Sequence, residues 1–300
     1  MARKQQDEKL IVNNFVVCGE VLDVFNYREY NVGKENECFG YTLKIETDPE
    51  TKESLDVEYF VNSNSKMAAG LGTIYEEVKT RATHGEGEIV RCTGKVTNNI
   101  FCSDGKIVEK LTLSGAFCNR KSDPKNKKMD FTPSAKFDTV GYIREIEGEN
   151  ITALVNEYVG KSIKGHILNF EIGDTAKGFE KATKVGNISF LSGKIKSVTE
   201  TMFLPEEETE AIDTEGYFGT ELEKIEKINE TRAKLREEGI KVNKVHLVIT
   251  GGRTKVKDEQ IVDQKVPFLE NDIDDMLYNI DVVIKELEQK NNITSDDIPF

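Results

Sequence analysis

Few residues in this 300-residue chain have the types and spacing that catalytic chemistry needs. Histidines that share a metal ion usually lie close together in the sequence, but His84, His166 and His246 are far apart. The residues GKS at 160–162 resemble the end of a phosphate-binding P-loop, yet Val155 stands where that loop needs a glycine. Neither a G-x-S-x-G elbow nor an H-E-x-x-H zinc motif occurs. We therefore expect no enzymatic activity and no cofactor, with a metal-dependent nuclease as the weakest alternative.

The charge of the chain is acidic and unevenly distributed. With 37% hydrophobic residues, including 15 Phe and 9 Tyr, the composition is that of a folded protein. A net charge of −13 argues against a nucleic-acid partner when it is averaged over the whole chain. However, residues 200–300 hold 25 acidic and 13 basic residues, a net charge of −12, so the rest is nearly neutral. The acidity is therefore a property of one region and does not exclude nucleic acid elsewhere.

Hydrophobic alternation in the first 120 residues predicts three strands, a helix and two further strands. The strands are expected at 12–24, 37–47, 55–61, 88–97 and 107–117, and the helix at 65–80. A helix between the third and fourth of five short strands is typical of the OB-fold, a partly open barrel whose second and third strands bind nucleic acid or oligosaccharide. We therefore predict a mainly β protein with added helices that begins with an OB-fold barrel.

The hydrophobic pattern in the remainder of the chain predicts a second OB-like α+β domain. Its strands are expected at 137–146, 162–172, 187–198 and 241–250, with helices at 220–238 and 271–290. Gly141 repeats the position of Gly19 within a strand, where a glycine lets a barrel strand bend. The predicted organisation is an OB domain at 1–120, a basic linker at 121–136, a second OB-like domain at 137–290 and an acidic tip at 291–300.

The last five residues carry the most specific signal: Asp296, Asp297, Ile298, Pro299 and Phe300. This ending resembles the acidic C-terminal tip of bacterial single-stranded DNA-binding proteins and of many phage counterparts. The resemblance implies that the tip recruits replication, recombination and repair proteins. The ring of Phe300 suits an apolar pocket, its carboxylate suits a basic neighbour, and the aspartates steer the tip towards basic surfaces. The absence of Trp and the second domain indicate a divergent, phage- or plasmid-type relative.

A single-stranded DNA site needs aromatic rings that stack on bases and cations that follow the phosphates. Phe60 is the best stacking candidate, because it is the one apolar residue on the polar face of Asp56 and Glu58. Tyr27 and Tyr30 are expected in the loop after the first strand. The predicted DNA-binding residues are Tyr27, Arg28, Tyr30, Lys44, Phe60, Arg91, Lys95, Tyr142, Arg144, Lys194, Lys196, Arg253 and Lys255.

The expected function is a non-enzymatic single-stranded DNA-binding protein that acts in DNA replication, recombination and repair. The alternative is a β-rich protein-interaction or viral structural and assembly protein that does not bind DNA. Five cysteines without a C-x-x-C spacing predict buried free thiols in a reducing compartment, hence the cytoplasm, or the host cytoplasm for a phage protein. No apolar run is long enough to span a membrane, and a homo-oligomer is compatible with the sequence.

Overall fold

The computed structural model describes residues 12–103, 106–159, 162–203, 209–255 and 270–291. These residues form ten strands: β1 (Asn13–Tyr30), β2 (Cys38–Asp48), β3 (Glu53–Asn62), β4 (Ile89–Ser103), β5 (Lys106–Arg120), β6 (Ser134–Glu147), β7 (Asn150–Val159), β8 (Ser162–Ile172), β9 (Ile188–Met202) and β10 (Ile240–Lys255). The helices are α1 (Ala68–Glu77), α2 (Arg81–His84), α3 (Phe179–Ala182), α4 (Thr220–Glu238) and α5 (Glu270–Asn291). None of the helices in these ranges is long and apolar enough to cross a membrane.

Five strands close the first barrel in the order β1-β2-β3-β5-β4, and β1 completes the circle by pairing with both β2 and β4. The pair β3 and β5 is parallel, whereas the other neighbours are antiparallel. Helix α1 lies between β3 and β4 in the sequence. This is the strand order and helix position of an OB-fold barrel, so the predicted fold class is confirmed.

The second barrel repeats the same order as β6-β7-β8-β10-β9, with β6 also paired to β9 and with β8 parallel to β10. Strand β7 was not predicted from the sequence pattern. Alternation fails there because Ile151 and Ala153 face the main core while Leu154, on the opposite face, is also fully buried. A strand that is buried on both faces lacks the polar positions by which strands are recognised.

Strand β1 continues further than the sequence predicted. Its pairing with β2 passes a bulge between Phe25 and Arg28 and extends to Tyr30, opposite Cys38. Asn26 adopts a positive φ of 56° in this bulge, a conformation that asparagine tolerates better than most residues. The prediction that Tyr27 and Tyr30 lie in a loop was therefore wrong, because both belong to a strand that the bulge bends without ending.

The described residues of 1–196 and 245–300 form one compact unit, which contains both barrels. Within it β1 pairs with β6, so that the two barrels share one continuous sheet. Between the barrels, the basic segment 121–136 holds a short 3-10 turn at Pro124–Asn126 and the first residues of β6. The domain boundaries expected from the sequence stay a prediction.

The described residues of 197–244 form the other unit, which consists of the last residues of β9, the helix α4 and the first residues of β10. Asn229 of α4 exchanges two hydrogen bonds with the backbone of Ile212, and Arg236 donates to the carbonyl oxygen of Thr209. Because Asn229 and Arg236 lie two turns apart on α4, they fix the helix along the segment at 209–212.

Arg81 on the short helix α2 bridges the first two strands through ion pairs. The Arg81 guanidinium donates hydrogen bonds to the carboxylates of Glu20 on β1 and Glu46 on β2. Glu46 is only 4% exposed. The hydrogen bonds from Arg81 hold the pKa values of Glu20 and Glu46 below their ordinary range. Both carboxylates are therefore charged at neutral pH, and Arg81 is the side chain that hydrogen-bonds to both of them.

The five cysteines form no disulfide among the described residues, and Cys18, Cys38 and Cys92 are buried as predicted, whereas Cys102 and Cys118 are only half-buried. Cys92 and Cys118 face each other across β4 and β5 with their sulfur atoms 3.7 Å apart. Burial raises the pKa of the Cys18 thiol to about 11, so this group is protonated at neutral pH.

Candidate nucleic-acid interface

A groove of about 470 Å³ opens on the outer face of the first barrel, above β2 and β3. The strand register places Arg28 of β1 beside Gly40 of β2, and Gly40 beside Phe60 of β3, in one row across the sheet. Glycine leaves the floor between the cation and the ring free of any side chain. A Cβ at position 40 would lie 2.9 Å from the carbonyl oxygen of Tyr59 and 3.4 Å from the Phe60 ring. The row therefore combines a cation, an open floor and an aromatic ring.

Phe60 projects into this groove as the sequence predicted for a residue on the polar face of its strand. Its neighbours Tyr59 and Val61 point into the core, whereas Phe60 is 64% exposed. Tyr30, which is 40% exposed, meets it edge to face with the ring centroids 5.4 Å apart. The pair fixes the orientation of two rings whose remaining faces are open to solvent.

Three cations line the groove: Arg28, Lys110 and Lys164. Lys110 forms an ion pair of 2.6 Å with Glu58. Among the described residues Arg28 and Lys164 have no carboxylate within ion-pair distance. They are the cations best placed to meet an anionic ligand in the groove.

Sequence reasoning missed Lys110 and Lys164. Lys110 alternates with Thr112 and Ser114 on the polar face of β5, so the strand predicted at 107–117 contained the signal. Lys164 belongs to β8 of the second barrel, and only the packing of the two barrels brings it to the groove of the first. Long-range packing of this kind leaves no local pattern in the sequence.

The wall that the second barrel contributes is a buried polar network around Glu157 of β7. The Nε2 atom of His166 lies 3.0 Å from the Glu157 carboxylate, and the Nζ of Lys95 lies 3.3 Å from it. Burial raises the pKa of Glu157, but the hydrogen bond from His166 and the electrostatic interactions with His166 and Lys95 outweigh it, so the pKa lies below its ordinary value. Lys95, predicted to contact DNA, is thus part of the junction between the barrels.

Several of the predicted DNA-binding residues lie outside the lining of the groove. Tyr27 stacks on Tyr75 of α1 with the ring centroids 4.3 Å apart. Its hydroxyl donates a hydrogen bond to Glu29, which together with burial raises the pKa of Tyr27 to about 12. One ring face of Tyr27 is therefore already covered by Tyr75. Lys44 and Arg91 are half-buried on β2 and β4.

In the second barrel the face that corresponds to the groove is covered by α5. Met276 of α5 packs with Leu154 of β7 and Val140 of β6, and Tyr142 packs against the same cluster. The helix approaches so closely that a Cβ at Gly165 would lie 2.8 Å from the Cβ of Met276. Tyr142 is therefore half-buried in an apolar cluster, although Arg144 on the same strand is exposed.

The remaining predicted cations lie on other parts of the second barrel. Lys194 and Lys196 are exposed on one face of β9, and Lys194 pairs with Lys136 of β6. The guanidinium carbon of Arg253 lies 4.4 Å from the centroid of the Phe190 ring, in a cation–π contact. The side chain of Lys255 and the tip residues Asp296, Asp297, Ile298, Pro299 and Phe300 lie outside the described residues.

The fold and the groove define a protein with two OB-type barrels, one of which has an open aromatic and basic face. The YorF family model matches residues 12–290, so the chain belongs to the YorF family. No curated protein matches it.

Among solved structures, the chain is similar to the wild-type single-stranded DNA binding protein from Thermus aquaticus. The identity is 12% and the TM-score 0.38, over 62% of this chain and 86% of that one. A deletion mutant of the same protein gives 13% identity and a TM-score of 0.37, over 62% and 87% of the two chains. The mitochondrial single-stranded DNA binding protein Rim1 from S. cerevisiae gives 15% identity and a TM-score of 0.26, over 37% of this chain and 97% of that one.

Proposed function

We propose that the chain is a non-enzymatic single-stranded DNA-binding protein that holds the strand in the groove of its first barrel. The observation that carries the proposal is the row of Arg28, Gly40 and Phe60 with Tyr30 beside it. Two exposed rings next to a cation that has no ion pair within the described ranges offer a stacking surface for bases and a contact for phosphate. Stacking of one base on an aromatic side chain contributes about 1–3 kcal/mol.

The position of the groove supports the same proposal. The second and third strands of OB barrels form the usual platform for oligonucleotides, and β2 and β3 are those strands here. The corresponding face of the second barrel is closed by α5, so we place the main site on the first barrel alone. Lys194 and Lys196 are proposed as outer phosphate contacts.

A fluorescence-anisotropy titration with labelled oligo-dT at two salt concentrations tests this function. We expect binding at low salt that weakens with salt, with a log–log slope of about −0.7 for each neutralised phosphate. Duplex DNA of the same length is the control and should bind more weakly, because its paired bases cannot reach Phe60 and Tyr30. No binding of oligo-dT at low salt would overturn the proposal.

We further propose that the acidic ending recruits replication, recombination and repair proteins, in the cytoplasm of the cell or of a phage host. The proposal depends on the resemblance of Asp296–Phe300 to the tip of single-stranded DNA-binding proteins. Deleting Phe300 should leave the affinity for oligo-dT unchanged and abolish the binding of purified partner proteins. Equal partner binding by the shortened chain would contradict this role.

A second candidate is a protein-interaction or viral assembly protein without DNA binding. The unit at 197–244 favours it, because Phe203, Tyr217 and Phe218 are 62%, 50% and 86% exposed. Exposed aromatic side chains in such density are typical of protein interfaces. A chain that captures a purified partner but binds no oligonucleotide at low salt would support this candidate and exclude the first.

A further inference from the structure

A second cavity, of about 260 Å³, adjoins the groove on the side of the second barrel. Its walls come from β4, β8 and α5, and three of its lining residues also line the groove: Asn99, Lys164 and His166. A group that occupies the cavity could therefore belong to the same ligand as a strand that lies in the groove.

The chemistry of the cavity is that of a site for one flat group with a polar edge. Ile280 and Val283 of α5 supply an aliphatic wall, and Phe101 of β4, which is 39% exposed, supplies a ring. Asn99 supplies an amide at the mouth, and its Nδ2 atom donates to the Thr112 hydroxyl at a distance of 3.2 Å, which orients the group. Pockets for drug-sized ligands measure about 300–1,000 Å³, so this cavity suits a smaller group.

We propose that this cavity receives one base of the strand that is bound in the groove. This inference rests on the proposed function and adds a property to it, namely a preference for one kind of base at one position of the strand. The Phe101 ring would contact the face of the base, the Asn99 amide its polar edge, and Lys164 the phosphate at the mouth. A surface that only stacks bases is tolerant of sequence, whereas an amide that meets the polar edge of a base discriminates between bases.

The substitution Val283→Phe tests the base pocket, because Val283 lines this cavity but not the groove. The variant should fill the cavity from the side of α5. Glu288→Phe is the matched control, since it adds the same ring to an exposed position of the same helix. Circular dichroism melting curves of both variants verify that they fold.

The readout is the affinity of each protein for oligo-dT, oligo-dC and oligo-dA at one salt concentration. We expect the wild type and Glu288→Phe to prefer one homopolymer by about tenfold, which corresponds to about 1.4 kcal/mol. In Val283→Phe the affinities should agree within about twofold. Equal affinities in the wild type, or a preference that survives in Val283→Phe, would overturn the base pocket and leave the proposed function intact. Failure of the wild type to bind any strand would overturn both.

Discussion

Phe60 of β3 and Tyr30 of β1 meet edge to face across the strand between them, with ring centroids 5.4 Å apart. Gly40, opposite Phe60 on β2, places no side chain beside the Phe60 ring, and a Cβ there would lie 3.4 Å from it. An edge-to-face pair fixes both rings before a ligand arrives, which lowers the entropy lost on binding. The geometry of the pair thus links the strand register to the proposed function.

Replacing Phe60 with Ala should weaken the binding of oligo-dT by about 5- to 150-fold, as expected for the loss of about 1–3 kcal/mol of stacking. The melting temperature should change little, because Phe60 is 64% exposed. Phe117→Ala, at a residue that is 56% exposed but does not line the groove, is the control. Unchanged DNA affinity in Phe60→Ala would remove this residue from the site.

Replacing Arg28 with Gln should make DNA binding less dependent on salt. Arg28 lines the groove and carries no ion pair among the described residues, so its charge is available to a phosphate. We expect the log–log slope against salt to become shallower by about 0.7, the value for one phosphate of a single strand. Asp23, exposed on the same strand, gives the control Asp23→Asn. Equal slopes in the wild type and Arg28→Gln would show that Arg28 meets no phosphate.

Replacing Arg81 with Ala should destabilise the fold by roughly 1–3 kcal/mol, because it leaves the buried Glu46 carboxylate without its hydrogen bonds from Arg81 and with only a 3.7 Å ion pair to the exposed Lys52. The expected loss of stability is modest because the Arg81 side chain is itself 34% exposed, so solvent screens its charge. Urea unfolding at neutral pH measures the loss, and Arg144→Ala at an exposed position is the control. The same free energy of unfolding in Arg81→Ala and in the wild type would contradict this account.

Glu157 predicts a pH dependence of stability. The pKa of Glu157 is lower in the folded chain than in the unfolded one, whose ordinary value is 4.5. The contribution of its ionised form to the stability of the fold is therefore fully present above pH 4.5 and is lost as the pH falls through the pKa of the folded state. The stability difference between the wild type and Glu157→Gln should therefore be largest near neutral pH and should shrink at acidic pH. Urea unfolding at several pH values measures it, with Glu145→Gln as the exposed control. A difference that is constant with pH would contradict the network with His166 and Lys95.

Sequence patterns predicted the five strands and the helix of the first barrel in their order along the chain, the long helix at 220–238 and the outward position of Phe60, because each of these depends on local periodicity. They missed β7, whose two buried faces show no alternation, and they could not place Lys164, which reaches the groove only through the packing of the two barrels. They also ended β1 too early, since a bulge at Asn26 interrupts the alternation without ending the strand. The burial of Tyr142 followed from the docking of α5, which is distant in the sequence.

Photo-crosslinking with oligonucleotides that contain 5-iododeoxyuridine tests the central claim most directly. The modified strand is bound at low salt, irradiated, and the crosslinked residues are identified by mass spectrometry of the digested protein. We predict adducts on Phe60 and Tyr30, the rings that line the groove. Adducts confined to other surfaces, such as the β9 face of Lys194 and Lys196, would contradict the assignment of the groove as the DNA site.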